Sequence, residues 1–358
     1  MSAYTEKPSS PWEELRRLSK SGQNDALETY IETLGTREAI RAIFRLDADE
    51  RDEVLKTLSP AEAADLIEEI PDEHAADLIE RLPVIDAAAI VTELRSDDRA
   101  DVLGDMEEQY AAAILDVLEP DEAAETRHLV GYADDVAGGL MVTEYLAFEE
   151  GVSVQQAIEK LATIPHLADE AATQKAYIVS SLGVLLGEVS LSELVAAPRT
   201  ASLISIMDRG PCVSSDAILE QIQALLEEHD LRGMPVVDKS SRLIGVVTSD
   251  GLSDAMAERA DLDQLKARGI VGGDEIRSTP FRLRSSRRLS WLSLNIVLNV
   301  LAASVIAFYE ETLTAVIALA VFLPIVSDMS GCSGNQAVAV SLRELALGII
   351  KPYEYVYG

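Results

Sequence analysis

The chain divides into three stretches with different hydrophobic patterns. Over residues 24–131, leucine, isoleucine and alanine recur at helical spacing in short blocks separated by proline, which predicts a series of short helices. The block Glu62-Ala-Ala-Asp-Leu-Ile returns twelve residues later as His74-Ala-Ala-Asp-Leu-Ile, and Ser59-Pro60 marks a helix start. A repeat this short predicts stacked helices that form an all-α superhelical domain.

The second stretch has the pattern of an α/β unit present in two copies. Helical runs at 154–162 and 217–228 alternate with short β-branched runs, and the segments 176–189 and 234–248 each predict a hairpin. The two hairpins lie about sixty residues apart, so residues 139–200 and 201–257 are expected to be two related α/β domains.

Each copy ends in a strand, a small polar turn and a helix, at Ser190-Leu-Ser-Glu193 and at Thr248-Ser-Asp250-Gly251. This arrangement resembles a pair of cystathionine-β-synthase (CBS) domains. The resemblance implies a sensory module that often takes adenine nucleotides, with a ribose-binding carboxylate three residues after the serine or threonine. Glu193 occupies that position in the first copy, whereas the second copy has Gly251. ATP and Glu193 are therefore a candidate ligand and its candidate contact.

The third stretch, residues 282–358, is the most apolar. Residues 289–309 carry no charge over 21 positions, which suits one membrane-spanning helix, and 313–340 contain only Asp328 and predict a second. The arginines before the first span place the N-terminal part on the cytoplasmic side of the membrane. The alternative is a pair of buried helices in a soluble protein.

Polar residues within the two spans suggest an ion pathway. Asn295 and Asn299 share one helix face, Asp328 lies at membrane depth, and Pro324 with the run Gly331-Cys-Ser-Gly-Asn-Gln is expected to interrupt the second helix. An interrupted helix exposes backbone carbonyls, which is tolerated only where they line a cavity. The alternatives are that the asparagines join helices to one another and that Asp328 lies among the lipid headgroups.

The charge distribution excludes some functions. The chain has 62 acidic and 30 basic residues, and residues 1–277 alone carry a net charge of −33. A nucleic-acid partner is excluded because it needs a basic surface. We find no arrangement of cysteine, histidine and serine, and no phosphate-binding glycine loop, that would predict an enzyme. The acidic composition of the helical part indicates a surface dense in carboxylates, which plain solvation or adaptation to high salt would also produce.

Several strings together resemble the MgtE-type magnesium transporters: Tyr132-Ala-Asp-Asp-Val-Ala-Gly-Gly-Leu-Met, Arg288-Leu-Ser-Trp-Leu, Phe322-Leu-Pro and Arg343-Glu-Leu-Ala-Leu-Gly. The resemblance implies a multidomain protein with an N-terminal tail (1–23), a superhelical N domain (24–131), a CBS pair, a connecting helix (258–281) and a transmembrane segment. It further implies a multi-pass protein of the cell (inner) membrane, in contact with membrane lipid, that forms a homodimer and conducts Mg²⁺.

By the same resemblance, acidic residues of the N and CBS domains sense cytoplasmic Mg²⁺ and gate the pore. The spacing of Asp97 and Asp101 puts both on one helix face, in agreement with such a role. The expected metal-binding residues are Asp97, Asp101, Asp230, Asp250, Asp254, Glu258 and Asp263. The expected pore-lining residues are Asn295, Asn299, Asp328, Gly334, Asn335 and Gln336, of which the last three match the family signature and Asp328 rests on its depth alone.

The chain also departs from the family pattern. The family has five membrane helices, whereas only two are predicted here, and Cys332 replaces an asparagine of the signature. The sequence is therefore compatible with a fragment, a truncated product or half of a split transporter. The alternative function is a membrane-tethered CBS regulatory protein that does not conduct ions on its own.

Overall fold

The computed structural model describes residues 10–163, 174–267, 281–316 and 318–346. The chain divides into two units, Met1–Pro280 and Phe281–Gly358.

The N-terminal part of the first unit is a stack of short helices, as the repeat predicts. Each of helices α5 to α8 packs against the helix two positions further along the chain, so successive helices build one continuous apolar core. The bounds are α1 Pro11–Lys20, α2 Asn24–Leu34, α3 Thr36–Ile43, α4 Ala48–Thr57, α5 Pro60–Ile67, α6 Asp72–Ile79, α7 Val84–Glu93, α8 Ser96–Asp105, α9 Glu108–Leu115 and α10 Pro120–Leu129.

Helix α1 lies in the segment 1–23 that was expected to be a tail. Its Leu15 and Leu18 are buried in the N-domain core, and Lys20 donates to Glu50 at 2.9 Å. The N domain therefore begins earlier than the proline-separated blocks indicate, because α1 carries its apolar residues outside the repeat.

Carboxylates from earlier helices satisfy the first backbone N–H groups of later ones. Glu68 at the end of α5 accepts from the Arg95 N–H at 3.2 Å, and Glu80 at the end of α6 accepts from the Glu107 N–H. Ser59 caps α5 as predicted, but its N–H donates to Glu28 rather than to its neighbour Glu62. These bonds neutralise helix ends that would otherwise lack partners, and the negative charge suits a helix N-terminus.

The CBS region contains two sheets. Its strands are β1 Met141–Val142, β2 Leu146–Glu149, β3 Lys175–Val179, β4 Leu185–Ser190, β5 Val213–Ser214, β6 Gly233–Val237 and β7 Leu243–Thr248. Their order is β1-β7-β6-β5 in one sheet and β2-β3-β4 in the other. The helices among them are α11 Val154–Leu161, α12 Leu191–Ala196 and α13 Leu219–His229.

Both predicted hairpins are confirmed as the antiparallel pairs β3–β4 and β6–β7. Their tips are joined, since the Leu185 N–H donates to Ser241 and the Leu243 N–H donates to Gly183, each at 3.0 Å. Strand β1 pairs with β7 although it lies in the segment assigned to the first copy, so that segment contributes to both sheets. The chain linking the N domain to the CBS pair is thus anchored on the second copy.

Helix α14 spans Ser249–Ala267 and contains both the end of the predicted second CBS domain and the start of the predicted connecting helix. The rest of the predicted connecting helix, up to residue 280, lies outside the described residues. Helix α14 packs against α13, where Arg259 pairs with Glu220 at 3.1 Å.

The second unit contains α15 Phe281–Phe308, α16 Glu310–Ala315 and α17 Ala318–Ala346. The expected interruption of the second apolar stretch is wrong, because α17 continues through Pro324 and the glycine-containing run. Glycine within a helix costs only about 1 kcal/mol relative to alanine, and a Cβ at Gly331 or Gly334 would meet no atom within 4 Å. Among the helices that the structure describes, none is both long enough and apolar enough to count as a membrane span.

Candidate functional site

Acidic side chains from three parts of the first unit influence one another electrostatically. Helix α8 carries Asp97, Asp98, Asp101 and Asp105, and α6 begins at Asp72. Asp134 follows α10, and Glu258 lies on α14 beyond the second CBS sheet. We call these seven residues the acidic cluster. It combines side chains of the N domain, of the linker and of the helix that leaves the CBS pair.

Burial and mutual repulsion raise the pKa of several members of this cluster. Burial raises the pKa of Asp101 to about 9, and the negative charges of Asp72 and Asp134 add to the effect. Burial likewise raises the pKa of Asp72 to about 7, and there the charge of Glu258 is the largest additional cause. The negative charge of Glu258 on α14 therefore affects the pKa of Asp72 in the first turn of α6, although α6 belongs to the N domain and α14 follows the second CBS sheet.

Asp97 is the most buried member of the cluster. The residue is 9% exposed, and its Oδ1 atom is buried without a hydrogen-bond partner among the described atoms. The Arg95 Nε atom lies 3.8 Å from that oxygen and donates to Asp98 at 2.8 Å. Burial raises the pKa of Asp97 in spite of Arg95, and the charge of Asp98 contributes. An oxygen in this position has unused capacity to bind a cation.

Arg99 fixes helix α8 in place. Its guanidinium donates to the carbonyls of Val91, Thr92 and Leu94 at 2.9–3.0 Å, so it binds the otherwise unpaired C-terminal end of α7. It also lies 2.7 Å from Glu122 on α10. Because these four contacts tie α8 to both neighbouring helices, Asp97 and Asp101 are presented on a rigid element.

The N-terminus of α8 is bound from the CBS side. The N–H and the hydroxyl of Ser96 both donate to Glu144, at 3.1 and 2.8 Å, and the Thr143 N–H donates to the Ser96 Oγ atom at 2.8 Å. Ala100, one turn along α8, is buried in the same apolar cluster as Met141 of β1. These contacts place α8 directly against the CBS pair.

The chemistry of the acidic cluster suits a hard divalent cation, since Mg²⁺ prefers oxygen ligands. All members of the cluster offer carboxylate oxygens, and Asp97 holds one without a partner. Within the described residues, however, no three His, Cys, Asp or Glu side chains are arranged so that they could hold a metal ion directly. The arrangement supplies negative charge around a contact rather than a finished coordination sphere.

Not all of the predicted metal-binding residues belong to the acidic cluster. Asp250, Asp254 and Glu258 are exposed and lie four residues apart along α14, and of these Glu258 acts on Asp72. Asp230 ends α13 with a left-handed backbone (φ 51°) and is exposed. Asp263 lies further along α14 and is also exposed.

Glu193, the candidate nucleotide contact, has a structural role in the described fold. Its carboxylate accepts from the N–H of Ser190 at 3.1 Å and from its hydroxyl at 2.7 Å, which forms the cap at the start of α12. These hydrogen bonds hold the pKa of Glu193 below its ordinary value.

The predicted pore residues lie on α15 and α17. Asn295 is half-buried and Asn299 is exposed on α15, while α17 exposes Asp328, Gly334, Asn335 and Gln336. Because the backbone of α17 is helical at Gly334–Gln336, it does not provide the free carbonyls that the sequence suggested.

The sequence did not single out Asp72, Asp134, Arg99 or Glu144. Asp72 lies about thirty residues before Asp101 and Asp134 about thirty after, so their proximity depends on the stacking of helices. One signal was present: Asp134 lies within Tyr132-Ala-Asp-Asp-Val, a string that was recognised for its family resemblance alone.

Two protein-family profiles match parts of the chain. The family profile described as the MgtE intracellular N domain matches residues 25–135, and the CBS domain profile matches residues 203–258. The first match includes Asp72, Asp101 and Asp134, and the second includes Glu258.

Two curated relatives are magnesium transporters named MgtE. The one from Thermus thermophilus is 34% identical over 233 residues, which are 64% of this chain and 51% of the relative. The one from Bacillus subtilis is 30% identical over 231 residues, 64% of this chain and 50% of the relative. The chain therefore spans about half the length of the curated relatives it matches.

Two solved structures resemble the first unit. The cytosolic domain of the Mg²⁺ channel MgtE in complex with ATP is 30% identical with a TM-score of 0.61, and the match covers 68% of this chain and 99% of that one. The soluble part of a magnesium transporter is 25% identical with a TM-score of 0.61, and the match covers 70% and 98%.

Proposed function

We propose that this chain, which belongs to the MgtE family, is a subunit of a magnesium channel or transporter whose N and CBS domains sense cytoplasmic Mg²⁺ and gate the pore. The observation that supports the sensing part is the buried Asp97 Oδ1 atom, which has no hydrogen-bond partner and lies on α8 next to the hydrogen bonds between Ser96 and Glu144 of the CBS side. The charge of Glu258 on α14 also raises the pKa of Asp72, so carboxylates of the N domain and of α14 repel each other unless a cation lies nearby.

Electrostatic repulsion then drives the switch. Without metal, the members of the acidic cluster favour a separation of α6 and α8 from α14, because each raises the free energy of its ionised neighbours. A bound Mg²⁺ offsets the repulsion and favours the contact, by as much as its affinity differs between the two states. Mg²⁺ keeps several of its waters, so loosely grouped carboxylates are sufficient.

The direction of the pKa shifts in the acidic cluster predicts how protons and Mg²⁺ compete for its carboxylates. The raised pKa values of Asp72 and Asp101 mean that the contact is most stable at low pH and loses stability as the pH rises from about 4 through the raised values of about 7 and about 9. Mg²⁺ therefore contributes little near pH 5 and most near pH 8.

Helix α14 is the element that would carry the signal towards the membrane segment. It bears Glu258 at the contact and is the last described helix before Phe281, where α15 begins. High internal Mg²⁺ would hold α14 against the N domain and close the pore, and low Mg²⁺ would release it. The residues Asp230, Asp250, Asp254 and Asp263 are proposed as further metal contacts that come together on closing.

We further propose that α15 and α17 lie in the cell membrane, with the first unit in the cytoplasm. The support is the uncharged run at 289–309 and the many large apolar side chains that both helices expose, among them Leu298, Ile306 and Val326. Asn295, Asn299, Asp328, Gly334, Asn335 and Gln336 remain the proposed pore-lining positions. Two copies related by a two-fold axis would enclose the pore.

Nucleotide binding stays a weaker proposal. The related cytosolic domain of known structure was solved in complex with ATP. In this chain Glu193 would have to exchange its capping bonds to Ser190 for contacts to a ribose. ATP is therefore proposed as an auxiliary ligand and Mg²⁺ as the primary one.

The sensor proposal is tested by Mg²⁺-dependent hydrogen–deuterium exchange of the full chain. Adding Mg²⁺ at pH 8 should slow exchange in α6, α8 and α14, and the double variant Asp97→Asn with Asp101→Asn should remove most of that effect. The control replaces two exposed acids, Asp86→Asn with Asp121→Asn, and should respond like the unmodified chain. If Mg²⁺ does not change the hydrogen–deuterium exchange of the unmodified chain, the proposed sensor function is refuted.

A further inference from the structure

The hydrogen bonds between Ser96 and Glu144 form a closed ring between the N domain and the CBS pair. Ser96 is 2% exposed, and both of its donors go to the Glu144 carboxylate, while its Oγ atom accepts from the Thr143 N–H. Ser96 and Glu144 are 48 residues apart, and Glu144 lies two residues after the end of β1. The ring therefore exists only while α8 lies against the CBS pair.

The start of α8 depends on this ring. The N-cap residue Arg95 makes no side-chain cap, and its own N–H is taken by Glu68. Glu144 thus supplies from another domain the acceptor that a serine or aspartate usually supplies at the N-cap. Its negative charge also suits the N-terminus of a helix.

The ring and the apolar contact beside it need no metal ion, although the Glu144 carboxylate adds to the negative charge around Asp97 and Asp98. Ala100 is buried together with Met141 and Val247, so α8 adds an apolar residue to the core of the second CBS sheet. The acidic cluster, in contrast, disfavours the same contact when no metal is bound. Two contributions of opposite sign therefore act on one helix.

We propose that Glu144 is a positioning residue that sets the Mg²⁺ concentration at which the contact closes; this rests on the proposed sensor function. The bonds to Ser96 contribute free energy to the closed state in every condition, and Mg²⁺ has to supply only the remainder. Weakening the bonds raises the Mg²⁺ concentration required without changing how the ion is bound.

The test is a Mg²⁺ titration of the full chain at pH 8, followed by exchange of the α6 amides. A net contribution of about 1 kcal/mol for each of the two hydrogen bonds corresponds to about thirtyfold in the midpoint. Removing the Glu144 charge beside Asp97 and Asp98 offsets part of this, so Glu144→Ala should raise the midpoint at least about threefold. Protection at saturating Mg²⁺ should equal that of the unmodified chain. Glu144→Gln keeps one acceptor, so its midpoint should lie between those of Glu144→Ala and the unmodified chain. The control Glu150→Ala, in the exposed turn after β2, should leave the midpoint unchanged.

Two results would overturn the proposal. A midpoint for Glu144→Ala within twofold of the unmodified chain would show that the ring contributes nothing to closing. Loss of protection even at saturating Mg²⁺ would make Glu144 a metal ligand rather than a positioning residue.

A second measurement separates this proposal from the sensor function. If the unmodified chain ignores Mg²⁺, the sensor function fails, and the threshold assigned to Glu144 fails with it. The contact between α8 and the CBS pair can still be tested with Ser96→Ala. This variant removes the acceptor of the Thr143 N–H and should speed hydrogen exchange of that amide. Unchanged exchange at Thr143 would show that the ring does not hold α8.

Discussion

Replacing Asp101 by asparagine should stabilise the metal-free protein at neutral pH, which is the opposite of what most substitutions at half-buried positions do. The pKa of Asp101 is raised from 3.8 to about 9 by burial and by its acidic neighbours. The folded state at pH 7 must therefore take up a proton that the unfolded state does not hold. Asparagine has nearly the same shape and needs no proton.

The magnitude follows from the distance between the ordinary pKa and the working pH. One pKa unit corresponds to about 1.4 kcal/mol, so the interval from 3.8 to 7 gives about 4 kcal/mol as an upper bound. Water reaches a half-buried carboxyl group, and we expect a gain of about 1–4 kcal/mol in the free energy of unfolding. The gain should be small near pH 4 and should vanish below about pH 3, where the carboxyl group is protonated in both states.

The assay is urea unfolding of the full chain in EDTA, followed by circular dichroism at several pH values. Asp101→Asn should shift the unfolding midpoint upwards at pH 7 and 8 and progressively less towards pH 4. Asp86→Asn, on the exposed face of α7, is the control with the same change of charge. A loss of stability in Asp101→Asn, or a gain that does not depend on pH, would refute the assignment of a raised pKa to Asp101.

Three further predictions follow from the contacts around α8 and from the proposed pore. Arg95→Gln removes the cation beside Asp97 and Asp98, so Mg²⁺ should bind severalfold more tightly in calorimetric titration, and unchanged or weaker binding would contradict the role of Arg95. Arg99→Leu removes the donor to the carbonyls of Val91, Thr92 and Leu94 and the partner of the half-buried Glu122, so it should lower the free energy of unfolding by about 3–5 kcal/mol; a loss below about 1 kcal/mol would show that α8 is held by other contacts. Expression of this chain in cells that lack magnesium uptake separates the proposed functions, since restored growth supports a conducting subunit and failed growth with intact expression favours the non-conducting regulator.

Local sequence patterns predicted much of the fold. The helical repeat predicted the stacked helices of the N domain, because each helix buries only its own leucine and isoleucine face. The β-branched runs predicted both hairpins with small errors at their ends, since antiparallel pairing of neighbouring strands is a local feature. The pairing of β1 with β7 spans about a hundred residues, and no local pattern specifies it.

The candidate site was predictable only along one helix. The spacing of Asp97 and Asp101 places them on one face of α8 whatever surrounds that helix. The contributions of Asp72, Asp134 and Glu258 depend on how separate elements pack together, which the sequence does not encode at any fixed spacing. The expected interruption of α17 failed for a different reason, since glycine permits a break in a helix but does not require one.

In the proposed switch, Mg²⁺ draws α8 and α14 together. Spin labels at Gly104→Cys on α8 and Ala260→Cys on α14, both exposed positions, report their separation directly once Cys212 and Cys332 are replaced by serine. Pulsed electron paramagnetic resonance of the full chain at pH 8 should show a broad, long distance distribution in EDTA. Saturating Mg²⁺ should convert it to a narrow, short one. Identical distance distributions with and without Mg²⁺ would show that the ion does not bring α8 and α14 together.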